Sequence, residues 1–289
     1  MTYRYKFGLL GHNIDYSKSA DIFDAIFSLK KIKGLFETYN LEPSSFESAF
    51  REIITNGIDG LSVTIPYKKK VIPLLDEIDP IAEALEAVNS IAVSKGRFHG
   101  YNTDIYGFAF PLKPHENNLK KGRALILGCG GSARAVIYSL HTDFEISHFT
   151  VLGRSEEKLA QFQISLNQIL LNSELLTDTF NNFPNHTSGS FSIIVNCTPL
   201  GGWNQLDRSP IPAGLNWSDS KIYYDLNYND GNNIVSMAKE NGLTVFDGST
   251  MLVGQAIRSF EIWSGETVGF DEVYETVFAG RTGKSIKAR

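Results

Sequence analysis

The feature that most constrains the fold of this chain is a repeated alternation of short apolar runs with segments of helical periodicity. Near the start, the runs YKFGLLG, LFETYNL and IDGLSVTI are separated by ADIFDAIFSLKKI and SSFESAFREIITNG. The runs are typical of strands, whereas the segments between them place apolar residues three and four positions apart, as a helix does. This order predicts a βαβαβ arrangement in a mostly parallel sheet.

A second alternation begins at RALILG and continues through SHFTVLG, a long polar helix, FSIIVN, KIYYDLN and LTVFDG. Between the two alternations lie a helical stretch, two further β-type runs and the polar, proline-containing stretch PLKPHENNLKKG, which is typical of a domain boundary. We therefore expect an α/β protein with a first domain over residues 1–110 and a doubly wound second domain over 111–248. Residues 249–289 have helical periodicity only and are expected to pack back on the first domain.

Composition and charge exclude several classes of function. The 289 residues carry a net charge of −5 without a cluster of Lys and Arg, which argues against nucleic acid and against an anionic membrane as partner. No run approaches the roughly 18 apolar residues of a membrane span, and the N-terminus lacks the pattern of a signal peptide. Cys129 and Cys197 form no metal-binding pattern. We expect a cytoplasmic protein that acts on a small molecule and holds no metal.

A glycine-rich loop opens the second domain. Gly128, Gly130 and Ala133 follow the strand RALILG and precede an apolar-periodic helix, which is the context that a dinucleotide loop requires. Gly128 is expected to make the tight turn, Gly130 to let the backbone approach the pyrophosphate, and Ala133 to pack the helix closely on the strand. The phosphates would lie at the helix N-terminus.

The residues after the next strand indicate which dinucleotide is bound. An NAD-specific fold normally places Asp or Glu there, whereas this chain has Arg154 and Ser155, with Lys158 one turn further on. A guanidinium binds phosphate in bidentate fashion and a carboxylate repels it. The pattern favours NADP; if Arg154 and Lys158 only face solvent, the cofactor preference stays open.

Polar residues follow apolar runs in the first domain within YSKSADIF, SVTIPYKKK, AVNS and GYNTDIYGF. Because the carboxyl ends of parallel strands share one sheet edge, these residues are expected to converge on one ligand. If each residue is considered alone, Ser17 and Ser19 are more typical of helix caps. Asn89 and Asp104 are then more typical of turns. As a set with Lys68, they indicate a site.

The motifs SKS, VTIPYK, AVNS, NTD, GCGGSAR, NCTPLG and DGSTMLVGQA occur in an order, over nearly the whole chain, that resembles the shikimate dehydrogenase family. The resemblance implies an N-terminal substrate-binding catalytic domain, a Rossmann NADP domain, and a cleft between them in which 3-dehydroshikimate is reduced to shikimate. It gives no oligomeric state, so a monomer and a homodimer both stay open.

The resemblance also implies roles for individual residues. Ser17 and Ser19 would bind the substrate carboxylate, and Tyr228 would lie near the substrate. The ring hydroxyls and the ketone would be bound by Thr64, Lys68, Asn89, Asp104 and Gln255. The cofactor would be bound by Gly128, Cys129, Gly130, Gly131, Ser132, Ala133, Arg154, Ser155, Lys158, Thr198, Leu226, Gly248 and Met251.

Hydride reduction of a ketone leaves negative charge developing on the oxygen, so a nearby group must supply a proton. We expect Lys68 and Asp104 to do so as a pair, and Lys69 and Lys70 to be solvated charges further along a helix.

Several residues depart from the family pattern and leave substrate preference open. Ser62 stands where Asn is usual, and further departures are Tyr16, Ile105, Gly153 and Thr250. If Ser62 makes room for an additional hydroxyl, quinate is the alternative substrate. A catalytically inactive relative that senses the metabolite is a third reading, against which the retention of both Lys68 and Asp104 argues.

Overall fold

The computed structural model describes residues 3–167, 169–186 and 190–278. The chain divides into two compact units, one comprising Met1–Gly107 with Leu252–Arg289 and the other Phe108–Met251. The first unit is therefore built from both ends of the chain. The domain bounds expected from the sequence, 1–110, 111–248 and 249–289, stay predictions.

The first unit begins with the expected βαβαβ order. Its elements before the second unit are β1 (Tyr5–Gly11), α1 (Ser19–Lys30), β2 (Gly34–Asn40), α2 (Phe46–Thr55), β3 (Gly60–Val63), β4 (Glu77–Ile78), α3 (Pro80–Ala84), β5 (Ser90–Ser94), β6 (Arg97–Tyr101) and α4 (Asp104–Ala109), the last of which continues into the second unit. The strand order is β2-β1-β3-β5-β6-β4. Strand β1 pairs in parallel with β2 and β3, whereas β5 runs antiparallel to both β3 and β6.

The C-terminal helices pack on this sheet, as expected from the sequence. Helix α9 (Gly248–Ser264) enters the first unit at Leu252, and α10 (Phe270–Phe278) follows it. Phe260 of α9 and Val273 of α10 are fully buried in an apolar cluster with Phe7 of β1 and Phe23 of α1. The opposite face of the sheet is covered by a second cluster that includes Phe50 of α2. The central strands β1 and β3 are thus buried on both faces, whereas β2, β4 and β6 are partly exposed.

The second unit is a parallel sheet with the strand order β12-β11-β10-β7-β8-β9. Its elements are α5 (Glu116–Leu119), β7 (Arg123–Leu127), α6 (Gly131–Thr142), β8 (His148–Gly153), α7 (Glu156–Leu166), β9 (Glu174–Thr179), β10 (Ile193–Asn196), β11 (Ile222–Asp225), α8 (Asn233–Glu240) and β12 (Thr244–Phe246). The change of direction along the sheet at β7 is that of a doubly wound fold, which confirms the predicted fold class. Within the described ranges, no helix is long and apolar enough to cross a membrane.

Two segments differ from the expectation. The polar stretch before β7 is helical, with a 3-10 helix over Phe110–His115 followed by α5. It folds in this way because Leu112 and Leu119 are fully buried in the apolar core of the second unit. The region expected to be one long polar helix contains α7 and then β9. Strand β9 is an edge strand with half-exposed residues, so it lacks the apolar run that marks a buried strand.

Candidate functional sites

Lys68 and Asp104 form an ion pair in the first unit. Lys68 lies in the turns after β3, and Asp104 begins α4 just after β6. The Lys68 Nζ donates a hydrogen bond to the Asp104 Oδ2, and their side chains are only 16% and 8% exposed. The other Asp104 oxygen, Oδ1, accepts from the Asn89 Nδ2 at 2.8 Å. Both carboxylate oxygens are therefore held, while the ammonium keeps further N–H donors for a ligand.

The pairing of the strands explains why residues far apart in sequence meet here. Asn89 precedes β5, which runs antiparallel to β3, so the start of β5 lies beside the end of β3. Two backbone hydrogen bonds fix this edge, from the Val63 N–H to the Asn89 carbonyl at 2.8 Å and from the Asn89 N–H to the Tyr101 carbonyl at 3.0 Å. The expectation that Asn89 follows a parallel strand was wrong, although the convergence with Lys68 and Asp104 is present.

Helix α9 contributes Gln255 to the same cluster. The Gln255 Nε2 donates to the Leu252 carbonyl at 2.9 Å, and its Oε1 lies 3.5 Å from the Asn89 Nδ2. The helix approaches α4 closely, since a Cβ at Gly254 would lie 3.0 Å from the Gly107 Cα. A side chain at position 254 would therefore move Gln255 away from the cluster or displace α4.

Two buried hydroxyls in this cluster were not singled out by the sequence. The Thr103 Oγ1 lies 3.0 Å from the Asn89 Nδ2 and 3.0 Å from the Ser259 Oγ. Thr103 stands inside the NTD motif, and Ser259 stands one helical turn after Gln255. That spacing was the available signal for Ser259, because residues four apart on a helix share a face.

Ser17 lies between β1 and α1, and Ser19 is the first residue of α1, at the sheet end where β3 also terminates. The Ser17 Oγ donates to the Ser19 Oγ at 3.1 Å and accepts the Ser19 N–H at 3.2 Å. Lys18, the residue before α1, makes no capping hydrogen bond through its side chain. Thr64 follows β3, and its hydroxyl makes no hydrogen bond within the part of the chain that the structure describes. These three hydroxyl side chains lie at the same sheet end as Lys68.

Ser62 lies on β3 directly opposite Ser90 of β5. Both side chains are buried, and neither Oγ has a hydrogen-bond partner among the described residues. The Ser62 Oγ has almost no accessible surface, so it does not line an open space in this structure.

The neighbours of Lys68 have contacts typical of surface charges. The Lys69 Nζ pairs with the Glu86 Oε2 at 2.9 Å, with the Lys69 side chain 67% exposed. The Lys70 Nζ lies 5.8 Å from the centre of the Tyr67 ring. The expected helix is absent from this stretch, which consists of turns followed by a 3-10 helix over Ile72–Leu74. Tyr67 is fully buried and its hydroxyl donates to the Leu41 carbonyl at 2.7 Å, which holds the chain in the turn.

The glycine loop of the second unit connects β7 to α6. Gly128 has a φ of +105°, and a Cβ there would lie 2.9 Å from the Thr198 Cγ2, so the turn requires glycine. Around Gly130 and Gly131 no atom lies within 4 Å of where a Cβ would be, and α6 begins at Gly131. The N–H groups at a helix start beside open space form an anion site. Ala133 is fully buried in the same apolar core as Ala124 and Ile126 of β7.

Two cations lie near this loop. Burial raises the pKa of the Cys129 thiol, while the positive charges of Lys158 and Arg154 oppose that rise. Neither cation forms an ion pair with a carboxylate in the described ranges. The Ser155 Oγ caps α7 by accepting the Lys158 N–H at 3.3 Å, which leaves its hydroxyl proton free to donate. The arrangement fits a dinucleotide with an additional phosphate.

A buried carboxylate organises the loops after β10 and β11. Asp225 is fully buried and accepts hydrogen bonds from the Tyr223 hydroxyl at 2.9 Å and from the side-chain amides of Asn196, Asn227 and Asn232 at 2.8 to 3.1 Å. Burial raises the pKa of Asp225, and the hydrogen bonds that its carboxylate accepts oppose this rise only in part.

The same network holds the expected cofactor residues Thr198 and Leu226. The Thr198 Oγ1 donates to the Asn196 Oδ1 at 2.7 Å, and the Leu226 N–H donates to the Asn196 carbonyl at 3.0 Å. The neighbouring Cys197 thiol has a pKa raised by burial and by the charge of Asp225, which makes it a poor nucleophile.

The remaining expected residues also lie in the second unit. A Cβ at Gly248 would lie 2.1 Å from the Leu226 carbonyl oxygen, so the start of α9 requires glycine. Met251 is 8% exposed and packs in the core with Tyr224 and Phe246. Tyr228 lies in the loop after β11. The parts of the chain that the structure describes contain no cluster of three or more His, Cys, Asp or Glu with the geometry of a metal site.

Comparison with known proteins gives consistent matches. Residues 9–91 match the family model of the shikimate dehydrogenase substrate binding domain, and residues 248–278 match that of the shikimate 5'-dehydrogenase C-terminal domain. The shikimate dehydrogenase (NADP(+)) of Chlorobaculum tepidum is 34% identical over 94% of this chain and 95% of its own length.

Two solved structures show the same fold. Shikimate 5-dehydrogenase from Thermus thermophilus, determined with NADP(H) and shikimate, is 26% identical with a TM-score of 0.81, over 94% of this chain and 98% of that one. Quinate dehydrogenase from Corynebacterium glutamicum, determined with NAD, is 22% identical with a TM-score of 0.84, over the same shares of the two chains. At the latter identity the likeness concerns the fold alone.

Proposed function

Because this chain belongs to the shikimate dehydrogenase family, we propose that it catalyses the NADP-dependent, reversible reduction of 3-dehydroshikimate to shikimate. The observation that carries the proposal is the buried Lys68–Asp104 ion pair, whose carboxylate is also held by Asn89. A chain that only bound the metabolite would have no use for a proton donor in this position. The cytoplasmic location and the oligomeric state stay predictions.

The residues of the first unit account for the proton transfer. Lys68 and Asp104 together supply a proton to the ketone oxygen as negative charge develops there, and their hydrogen bond holds the Lys68 ammonium in place. Ser17 and Ser19 hold the substrate carboxylate, and Thr64, Asn89 and Gln255 contact the ring oxygens. Tyr228 is proposed as a further substrate-binding residue. We assign the proton transfer to Lys68 and Asp104 jointly.

The residues of the second unit account for cofactor binding. Gly130 and Gly131 receive the pyrophosphate at the start of α6, and Arg154 and Lys158 bind the additional phosphate of NADP. The other residues proposed to contact the cofactor are Cys129, Ser132, Ser155, Thr198, Leu226, Gly248 and Met251. The reduced cofactor, NADPH, would supply the hydride when it is bound.

A steady-state assay with shikimate and quinate, each with NADP and NAD, tests this function. We expect the highest kcat/KM for shikimate with NADP. A preference for quinate would establish the alternative substrate, which the covered Ser62 hydroxyl does not favour. Binding without turnover in all four combinations would identify the protein as a metabolite sensor and refute the proposed activity.

A further inference from the structure

A chain of buried side chains connects helix α9 to the Lys68–Asp104 pair. It runs from Ser259, through Thr103 and Asn89, to Asp104, and all four residues are at most 6% exposed. The successive distances are 3.0 Å from the Ser259 Oγ to the Thr103 Oγ1, 3.0 Å from there to the Asn89 Nδ2, and 2.8 Å from that nitrogen to the Asp104 Oδ1. All four residues belong to the first unit.

The direction of these hydrogen bonds follows from the available acceptors. Either hydroxyl could donate in the Ser259–Thr103 hydrogen bond, but within the described ranges Ser259 has no other acceptor, whereas Thr103 also has the Asn89 Oδ1, so we assign Ser259 as the donor. The Asn89 Nδ2 also donates to the Thr103 Oγ1, which fills both lone pairs of that oxygen. The Thr103 proton then points to the Asn89 Oδ1 at 3.3 Å, an oxygen that also accepts the Thr103 N–H at 2.6 Å.

This arrangement sets the orientation of the Asn89 amide. With two hydrogen bonds on its oxygen, the amide cannot be turned round without placing its NH₂ group against the Thr103 N–H. Its nitrogen therefore faces the Asp104 Oδ1, and hydrogen bonds to the amide oxygen make the nitrogen a stronger donor. The Asp104 carboxylate is held on one side by Asn89 and on the other by Lys68.

We infer that Thr103 and Ser259 are positioning residues, which act through Asn89 to hold Asp104, and so Lys68, in the geometry that proton transfer requires. This inference deepens the proposed function and rests on it. Both hydroxyls act through Asn89 rather than on Lys68 or Asp104 directly. Because Asn89 is also proposed to contact the substrate, their removal should lower kcat strongly and weaken substrate binding to a smaller extent. A displacement of reacting groups on the scale of an ångström costs a large factor in rate.

Kinetics of matched variants test the inference. Thr103→Val and Ser259→Ala should each lower kcat between about 10-fold and 100-fold, with a smaller rise in the KM for shikimate through the displaced Asn89. Thr103→Ser, which retains the hydroxyl, should restore most of kcat. The control is Ser264→Ala on the same helix, which also removes a bonded hydroxyl, from the Phe260 carbonyl at 2.7 Å, and should leave kcat unchanged.

The double variant Thr103→Val, Ser259→Ala gives a stricter criterion. Because the two hydroxyls act in series, the second removal should cost little beyond the first. Additive losses in kcat, equal kcat in Thr103→Val and Thr103→Ser, or loss of kcat only in proportion to loss of folded protein would overturn the inference.

A second measurement does not depend on turnover. Hydrogen exchange of the Asn89 side-chain amide, followed by NMR, should be slow in the wild type and in Thr103→Ser. It should be about tenfold or more faster in Thr103→Val and Ser259→Ala. Unchanged exchange in both would refute the positioning role. If the wild type shows this protection but has no activity on shikimate, the proposed function fails while the arrangement of the side chains is upheld.

Discussion

Lys68 differs from the two lysines that follow it in the burial and in the partner of its ammonium group. The Lys68 side chain is 16% exposed and bonded to a buried carboxylate, whereas Lys69 is 67% exposed and paired with an exposed Glu86. An ion pair on the surface contributes little, because water screens it and the long side chains lose entropy. The three consecutive lysines therefore have different environments, which the sequence KKK alone does not distinguish.

The first prediction concerns these lysines. Lys68→Ala should lower kcat by about 10² to 10⁴, the usual contribution of general acid catalysis, while the affinity for shikimate stays within a few-fold. Lys69→Ala is the matched control and should change neither kcat nor the affinity for shikimate appreciably. Steady-state kinetics with shikimate and NADP measure kcat and KM for both variants. Retained turnover in Lys68→Ala would show that Lys68 has no catalytic role.

A second prediction at this scale concerns Arg154. Its guanidinium and the Lys158 ammonium lie near the glycine loop and have no carboxylate partner in the described ranges. Arg154→Ala should raise the KM for NADPH by roughly 10-fold or more, since a hydrogen bond between charged groups contributes about 1.5–3 kcal/mol, and should change the KM for NADH little. Equal increases in the KM for NADPH and for NADH would show that Arg154 does not bind the additional phosphate.

At the scale of elements, Asp225 ties together the ends of β10 and β11. Asn196 ends β10 and donates to Asp225, while Asn232 donates to the same carboxylate and also caps α8. Asn227 donates to Asp225 and to the carbonyls of Thr198 and Leu200. One buried carboxylate thus connects two loops and a helix start, because it accepts hydrogen bonds from all three asparagines.

We predict that Asp225→Asn destabilises the protein by about 2 kcal/mol or more at neutral pH, since an amide places its NH₂ group against these donors. The pKa of Asp225 is raised in the folded state, so its ionisation stabilises the unfolded chain relative to the folded one. Its contribution to stability is complete below the ordinary pKa of 3.8 and is lost as the pH rises through the folded-state pKa.

The difference in unfolding free energy between wild type and Asp225→Asn should therefore narrow from acidic to neutral pH. Urea unfolding at several pH values measures it, with the exposed Glu240→Gln on α8 as the control that should leave the pH dependence unchanged. A difference that widens with pH would mean that the folded state favours the ionised form of Asp225.

At the scale of the whole molecule, the first unit depends on a segment that the chain supplies last. Val273 and Phe278 of α10 are buried with Phe23 and Ile26 of α1, the helix that begins at Ser19. A chain that ends before α10 would expose this cluster. The stability of the first unit therefore depends on residues more than 200 positions from α1.

Truncation after Gly269 tests this dependence. Burial of a large apolar side chain contributes about 1.5–3 kcal/mol, so the loss of two should lower the stability of the first unit by about 3 kcal/mol or more. A chain ending at Phe278 keeps α10 and is the control. Thermal unfolding and limited proteolysis should show earlier loss of the first unit in the shorter chain, and identical melting of the two chains would contradict the assignment of α10 to its core.

The sequence by itself determined the types and order of most elements, the turn at Gly128 and the candidate pair Lys68 and Asp104. These features depend on local periodicity, on backbone conformation that only certain residues adopt, and on the spacing of motifs. The same local rules failed at β9 and at residues 110–119. There, pairing at a sheet edge and the burial of Leu112 and Leu119 decided the conformation.

Only the tertiary structure decided which side chains meet around Asp104. The antiparallel direction of β5 brings Asn89 beside the end of β3, and α9 brings Ser259 to Thr103 from 156 residues away. Such contacts depend on strand pairing and helix packing between distant segments, for which no short stretch of sequence carries a signal. The roles of the individual site residues stay predictions, but their arrangement follows from how the two ends of the chain form one buried core.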